Sequence, residues 1–277
     1  MIRVYRPDNR FDAGVFKALF ALIGEIISYR SHIRTLFASD FRLSYSGTVL
    51  GVFWNFALPI VPITVYTLLV NLRVLPRLEG LDPAVYISFN ATIWYLLTGV
   101  LRQPMQIVLS LNQSAMKTAI PLSAAIASSF ADLAFETLVR IVFIAGMMVW
   151  MQQPPAPTGA LALVAVLAGC TLCLGLGLGL SVLNAIYPDI QRVVAIVLQY
   201  GIFLSGVIFP ISTMPGLAWL EVFNPFNVFI HAARDWMFNG HLSHPMPFAA
   251  WSAIGVVLLL LSTRFFYVME HRLRGLS

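Results

Sequence analysis

The amino-acid sequence predicts an all-α membrane protein: six transmembrane helices, an N-terminal amphipathic interfacial helix, and short re-entrant helices before the last span. Two observations carry this. Of 277 residues, 59% are hydrophobic and only 10% charged, against about 25% charged in soluble domains. A surface so poor in charge has lipid over much of it. Apolar runs of roughly 20 residues, enough to cross about 30 Å of hydrocarbon, also recur along the chain.

Residues 1–47 read as a cytoplasmic segment carrying the interfacial helix, with no apolar core and cleavage site of a signal peptide. On a helix over Ile26–Phe41, the residues Ile26, Tyr29, Ile33, Leu36, Phe37 and Phe41 share one face. Arg30 and Arg34 flank that face, where they can snorkel toward phosphates. A membrane anchor and a lever touching a cytoplasmic partner both fit.

Residues 48–268 hold the six expected spans: Val49–Val70, Ala84–Leu101 with an extension toward Leu111, a stretch within Leu122–Trp150, Gly159–Leu183, Val193–Ile211 and Phe248–Val268. Pro59 and Pro62 remove backbone donors and should kink the first. The second is interrupted by Ser88, Asn90 and Thr92. Residues 269–277 form a short tail, and no soluble domain is expected. Thirteen of the 17 Lys and Arg fall on the side of the termini and three on the other, with Arg140 inside a span. This bias places both termini in the cytoplasm. It also accounts for the net charge of +5 without a nucleic-acid partner.

Asp132, Glu136 and Arg140 lie four residues apart on one face of the third span. Arg140 sits ten residues from Trp150, about 15 Å deep, so it needs a partner. A structural ion pair and a charged wall of a translocation path are both open readings. Gly169, Gly175, Gly177 and Gly179 in the fourth span predict a close helix-packing seam. Cys170 and Cys173 read as small packing residues, and His231, His241 and His244 fit no zinc spacing. No metal or cofactor is expected in this chain. The segment 211–247 reads as two short helices dipping into the outer leaflet, with Asn224 capping a helix that has Pro225 at its first position. Phe53, Trp54, Phe56, Tyr66, Tyr200 and Phe203 are the aromatic candidates for lining a channel.

Several segments together carry a resemblance. The stretch Asp40-Phe41-Arg42-Leu43-Ser44-Tyr45-Ser46-Gly47, running through Gly51 and Trp54 to Leu58-Pro59, resembles the approach to the first span in ABC-transporter permeases. These are the permeases that export O-antigen, capsular polysaccharide or teichoic acid. Ser110-Leu111-Asn112-Gln113, through Lys117 to Ile120-Pro121, is similar to that family's cytoplasmic turn between the second and third spans. Tyr187-Pro188-Asp189-Ile190 with Phe209-Pro210 is similar to its fifth-span region, and Asn224-Pro225-Phe226 with Arg234 to its extracytoplasmic segment. The order agrees from about Ser28 to Tyr267. One departure is Tyr187-Pro188-Asp189, where many relatives have a basic residue before the Asp.

The resemblance implies a homodimeric permease in the bacterial inner membrane, surrounded by lipid. Two copies of a separate ATP-binding subunit would bind ATP and Mg. A lipid-linked glycan would move from cytoplasm to periplasm. It implies ATPase coupling through Arg30, Arg34, Asp40, Arg42, Asn112, Lys117, Pro121 and Asp189. It also implies a gate at Pro210, Asn224, Pro225 and Arg234. This chain has no GxxxxGK[ST] loop and would perform no ATP chemistry of its own by that route. Two other classes remain open. One is a related ABC exporter permease for a drug or lipid. The other is an intramembrane enzyme, which a serine-protease arrangement does not support because the spans contain no His.

Overall fold

The computed structural model describes residues 10–11, 13–45, 64–65, 68–69, 72, 80–113, 121–213 and 215–273. The expected first span lies outside these apart from four positions, and with it Phe53, Trp54, Phe56 and Tyr66. Lys117 also lies outside. Among the described residues the chain is helical without strands.

Two helices open the chain, α1 (Val15–Ser28) and α2 (Arg30–Tyr45). The single helix expected over Ile26–Phe41 is therefore divided, at Tyr29 with φ −96° and ψ 15°. The two halves are held by different partners. Glu25 of α1 accepts from Ser123 at 2.8 Å, whereas Phe41 of α2 packs edge-on against Phe135 at 5.0 Å. Ser128 meets the Ile33 carbonyl lower on the same pair, so α2 climbs beside its neighbour with its apolar face turned inward. The free apolar stripe belongs instead to α1: Phe16, Phe20, Ile23 and Ile27 are all exposed.

Among the described residues four helices are long and apolar enough to cross a membrane. In chain order they are α3 (Pro83–Gln113), α4 (Leu122–Trp150), α5 (Ala162–Ile186) and, near the C-terminus, α9 (Pro245–Leu273). Helix α3 starts on an Asp82 cap, whose carboxylate accepts the Ala84 N–H at 2.8 Å, with Pro83 at the first position. Its polar residues do not weaken it as a span. Ser88, Asn90, Thr92 and Thr98 are buried, and α3 is the most enclosed of the four.

The fifth expected span, Val193–Ile211, is not one continuous helix. Helix α6 (Asp189–Gly201) starts earlier and stops after 13 residues. At 1.5 Å per residue that is about 20 Å, short of a crossing. A 3-10 turn at Ile202–Leu204 follows, and then Gly206 with φ +64°, a conformation glycine adopts freely. After two further 3-10 turns come α7 (Leu220–Phe223), α8 (Pro225–Arg234) and a π-helical turn Asp235–Asn239.

The glycines of α5 point two ways. A Cβ on Gly175 would lie 2.7 Å from the Leu259 backbone of α9, and one on Gly177 would lie 2.6 Å from the Leu101 carbonyl of α3. Helix α5 is thus clasped between two backbones at distances only glycine allows. Substituting Gly177→Ala drives a methyl group into the Leu101 carbonyl, and neither backbone can yield cheaply. Thermal unfolding in detergent should show a loss of about 1–3 kcal/mol, while Gly146→Ala, inside a helix and meeting open space, should leave the midpoint equal or slightly higher.

Candidate functional site

The interruption after α6 frees backbone carbonyls, and four of them find side-chain donors. Ser205 Oγ donates to the Gly201 carbonyl at 2.7 Å. Asn224 Nδ2 donates to the Leu204 carbonyl at 2.7 Å. Tyr86 Oη donates to the Gly206 carbonyl at 2.9 Å, and Asn90 Nδ2 reaches the Gly206 and Val207 carbonyls at 3.2 and 3.3 Å. Arg234, at the end of α8 and only 8% exposed, donates to Tyr86 Oη at 3.0 Å and lies 4.9 Å over the Tyr86 ring.

Gly201 abuts Trp94 of α3, 11 residues and about 16 Å from the start of that helix. Helix α8 reaches as deep: Phe226 packs on Trp94 at 5.1 Å, and Phe229 lies against Gly169 beside Leu97. Asn224 caps α8 through Phe226 N–H at 3.1 Å. Of the gate candidates, Asn224 meets the broken loop directly and Arg234 only through Tyr86, Pro225 is the first residue of α8, and Pro210 is half-buried at the loop's exit. Tyr86 and Asn90 complete this site. Sequence reading placed Asn90 only among the polar interruptions of a span and gave Tyr86 no role.

The channel candidates Tyr200 and Phe203 are exposed on the protomer surface. On α4, Arg140 and Glu136 pair at 3.3 Å, and the Arg140 guanidinium lies 5.0 Å over the ring of Tyr95 on α3. Its Nη1 is buried with no hydrogen-bond partner among the described residues. Asp132 is half-buried one turn below.

At the opposite end, Arg30, Arg34 and Arg42 are exposed on α2. Arg34 and Arg42 line an open depression of about 560 Å³ with Thr35, Ala38 and Ser39. Asp40 lies in α2 and Asn112 in the last turn of α3. Pro121 directly precedes α4. Asp189 pairs with Arg192 at 3.0 Å, but both are 84% exposed, which makes the pair worth little.

Near them is a cluster that sequence reading missed entirely. The Glu270 side chain on α9 is 2% exposed and accepts from Arg10 at 2.9 Å and from the Leu122 N–H at 3.0 Å. Arg10 also reaches Glu25 at 3.4 Å and stacks over Tyr267 at 4.6 Å. Burial alone would lower the Arg10 pKa, and the hydrogen bond and charge of Glu270 more than reverse this, raising it.

Two scattered histidines also meet. The rings of His231 and His244 are 5.3 Å apart, with Asp235 3.5 Å from His231 and Glu221 3.9 Å from His244. Among the described residues no three metal-ligating side chains are placed to hold an ion. Burial above all, then the charge of Arg234, holds the His231 imidazole down at about 4, and Asp235 only partly opposes this.

The fold and this arrangement define a multi-pass helical membrane protein whose irregular backbone is enclosed within the helix bundle. The chain belongs to the ABC-2 type transporter family, whose profile matches residues 31–238; it is a membrane subunit of a transporter rather than an enzyme. It is similar to the O-antigen export system permease protein RfbA of Myxococcus xanthus. The two are 23% identical over 267 residues, which cover 90% of this chain and 96% of that relative. The resemblance to polysaccharide-export permeases drawn from the sequence segments agrees with this relative.

Two outcomes are expected. Tyr86→Phe removes both the acceptor for buried Arg234 and the donor to Gly206, and should cost about 1–3 kcal/mol in thermal unfolding. The pH response follows from His231. Its folded pKa of about 4 lies below its ordinary 6.5, so the unfolded chain binds more protons between those values. The stability from keeping His231 neutral is present above about 6.5 and is lost as pH falls toward 4. Melting midpoints taken across that window should fall with pH in the parent protein and fall less in His231→Gln.

Proposed function

We propose that this chain is the membrane subunit of an ATP-driven exporter that moves a lipid-linked polysaccharide from cytoplasm to periplasm across the bacterial inner membrane. Two copies enclose the path, and two copies of a separate ATP-binding subunit dock on the cytoplasmic side, where ATP and Mg are held. The expected six spans are the four long helices, the segment Val49–Val70, and α6 continued by its broken loop. Both termini are cytoplasmic, residues 269–277 form a cytoplasmic tail, and α1 rests its apolar stripe in the inner interface.

The observation that carries this reading is the broken loop after α6. Non-helical backbone at membrane depth is tolerated only where protein encloses it or water reaches it, and here protein donors take every carbonyl named above. Such a segment, with α7 and α8, has the build of an extracytoplasmic gate containing Pro210, Asn224, Pro225 and Arg234. Export of a glycan is supported by the similarity to an O-antigen permease and by the aromatic surface at Tyr200 and Phe203. Coupling to the ATPase is assigned to the exposed arginines of α2 with Asp40, to the Asn112–Pro121 turn including Lys117, and to Asp189.

Co-expression with the proposed ATP-binding subunit, reconstitution in nanodiscs, and measurement of ATP hydrolysis with lipid-linked glycan tests the reading. A stable complex whose hydrolysis rises several-fold with glycan is expected. Hydrolysis stimulated by a phospholipid or a drug but indifferent to glycan favours the related exporter class. A chain that binds no ATPase overturns the proposal.

A further inference from the structure

We infer that Glu270 is a positioning residue for transport. It joins the cytoplasmic segments, where an ATPase would push, to α9, which carries that movement to the extracytoplasmic segment. This rests on the exporter reading above.

The geometry at the cytoplasmic end is that of a joint. One buried carboxylate holds three segments of chain. Oε2 of Glu270 accepts from Arg10, which precedes α1. Oε1 accepts the first N–H of α4 at Leu122, directly after Pro121. The carboxylate itself belongs to α9. Arg10 is fixed to α9 a second time through the Tyr267 ring and carbonyl, and to α1 through Glu25. Ser123 closes the circuit by donating to Glu25 at 2.8 Å. A carboxylate this deeply buried is retained only while its partners stay in place, so the segments cannot shift singly.

The other end of α9 is attached to the broken-loop region. Trp251 Nε1 donates to the Val222 carbonyl of α7 at 2.9 Å. Phe248 packs edge-on against Phe229 of α8 at 6.1 Å and against Trp236 at 5.2 Å. From Glu270 to Phe248 is 22 residues of unbroken helix, about 33 Å. The middle of α9 is pressed on α5 at Gly255, where a Cβ would lie 3.2 Å from Leu172, so it tilts as a rod about that contact rather than bending or sliding. Helix displacement of this kind is a common means of carrying a signal between sites.

The test uses the full complex with its ATP-binding subunit, in nanodiscs. Glu270→Gln keeps an acceptor for the Leu122 N–H and removes the charge that holds Arg10. Arg10→Gln leaves the Glu270–Leu122 bond in place and serves as the independent second variant. Three quantities are read: ATP hydrolysis, glycan moved per ATP, and ATP-dependent labelling of Val207→Cys by a small impermeant thiol reagent. The labelling background has Cys170 and Cys173 replaced by alanine; Val207 is fully buried, so its labelling reports opening.

Both variants should assemble and hydrolyse ATP within about twofold of the parent, move at least fivefold less glycan per ATP, and lose the ATP-dependent rise in Val207→Cys labelling. A purely structural role would lower hydrolysis, assembly and transport together. That proportional loss in both variants, or unchanged glycan per ATP in either, overturns the inference. A parent complex that transports no glycan overturns the exporter reading and this inference with it. A parent that transports, with Glu270→Gln transporting equally well, overturns this inference alone.

Discussion

Inside a bilayer no water is at hand for a carbonyl that leaves its helix, so every interruption must be answered by the protein itself. The rest of this structure can be read from that constraint. Helix α6 ends part-way across, and its freed carbonyls take donors from three other elements: Tyr86 and Asn90 of α3, Ser205 of the loop, and Asn224 at the start of α8. Polar residues in the second apolar segment look like a weakness in a span. They are what allows another span to be broken. Their burial explains why α3 is the most enclosed long helix, since it must face its hydrogen-bonding residues toward the loop and not toward lipid.

Packing then separates parts that can move from parts that cannot. The glycines of α5 bring its backbone against α3 on one side and α9 on the other, and close contact over many atoms resists sliding. Helix α6 has a single buried residue, Leu198, and shows Val193, Ile196, Val197 and Tyr200 on its surface. Segments that open in function come from the least tightly packed portion of a fold. By that criterion α6 is the segment most able to move, and α3 and α5 are the fixed frame.

Composition and run length were enough to find the long helices, because an apolar stretch of about 20 residues has few other uses. The bounds of α4 and the start of the helix at Pro225 were legible for the same kind of local reason. The break in α6 was not. Val193–Ile211 carries no charged residue, and the stop is set by Gly206, by Trp94 pressed against Gly201, and by donors more than 100 residues away. The N-terminal helix was misplaced because Ile26–Phe41 does have an apolar face, but α4 occupies it, leaving the exposed stripe to Phe16, Phe20, Ile23 and Ile27. Glu270 was invisible for the strongest reason: its partners are 148 and 260 residues away in sequence, and nothing local distinguishes it from an ordinary charge at a helix end.

The charged face of α4 can be oriented from the same contacts. At 3.6 residues per turn, Asp132, Glu136 and Arg140 occupy one strip of the helix. Leu138, Ile141, Val142 and Val149, all exposed, occupy the strip roughly opposite. The apolar strip is suited to lipid, and the charged strip therefore turns away from it, toward Tyr95 of α3. Yet the Glu136 side chain remains 43% exposed in a single protomer, and a carboxylate near the middle of a spanning helix is too costly to leave against hydrocarbon. That face of α4 must be covered by protein or by water in the membrane. A pair serving only to fasten α4 to α3 would have both members enclosed. Here Arg140 is the enclosed member and Glu136 is the one presented outward from the contact. This arrangement fits a residue that borders a wet path or an adjoining segment of the assembly better than one that only holds two helices together.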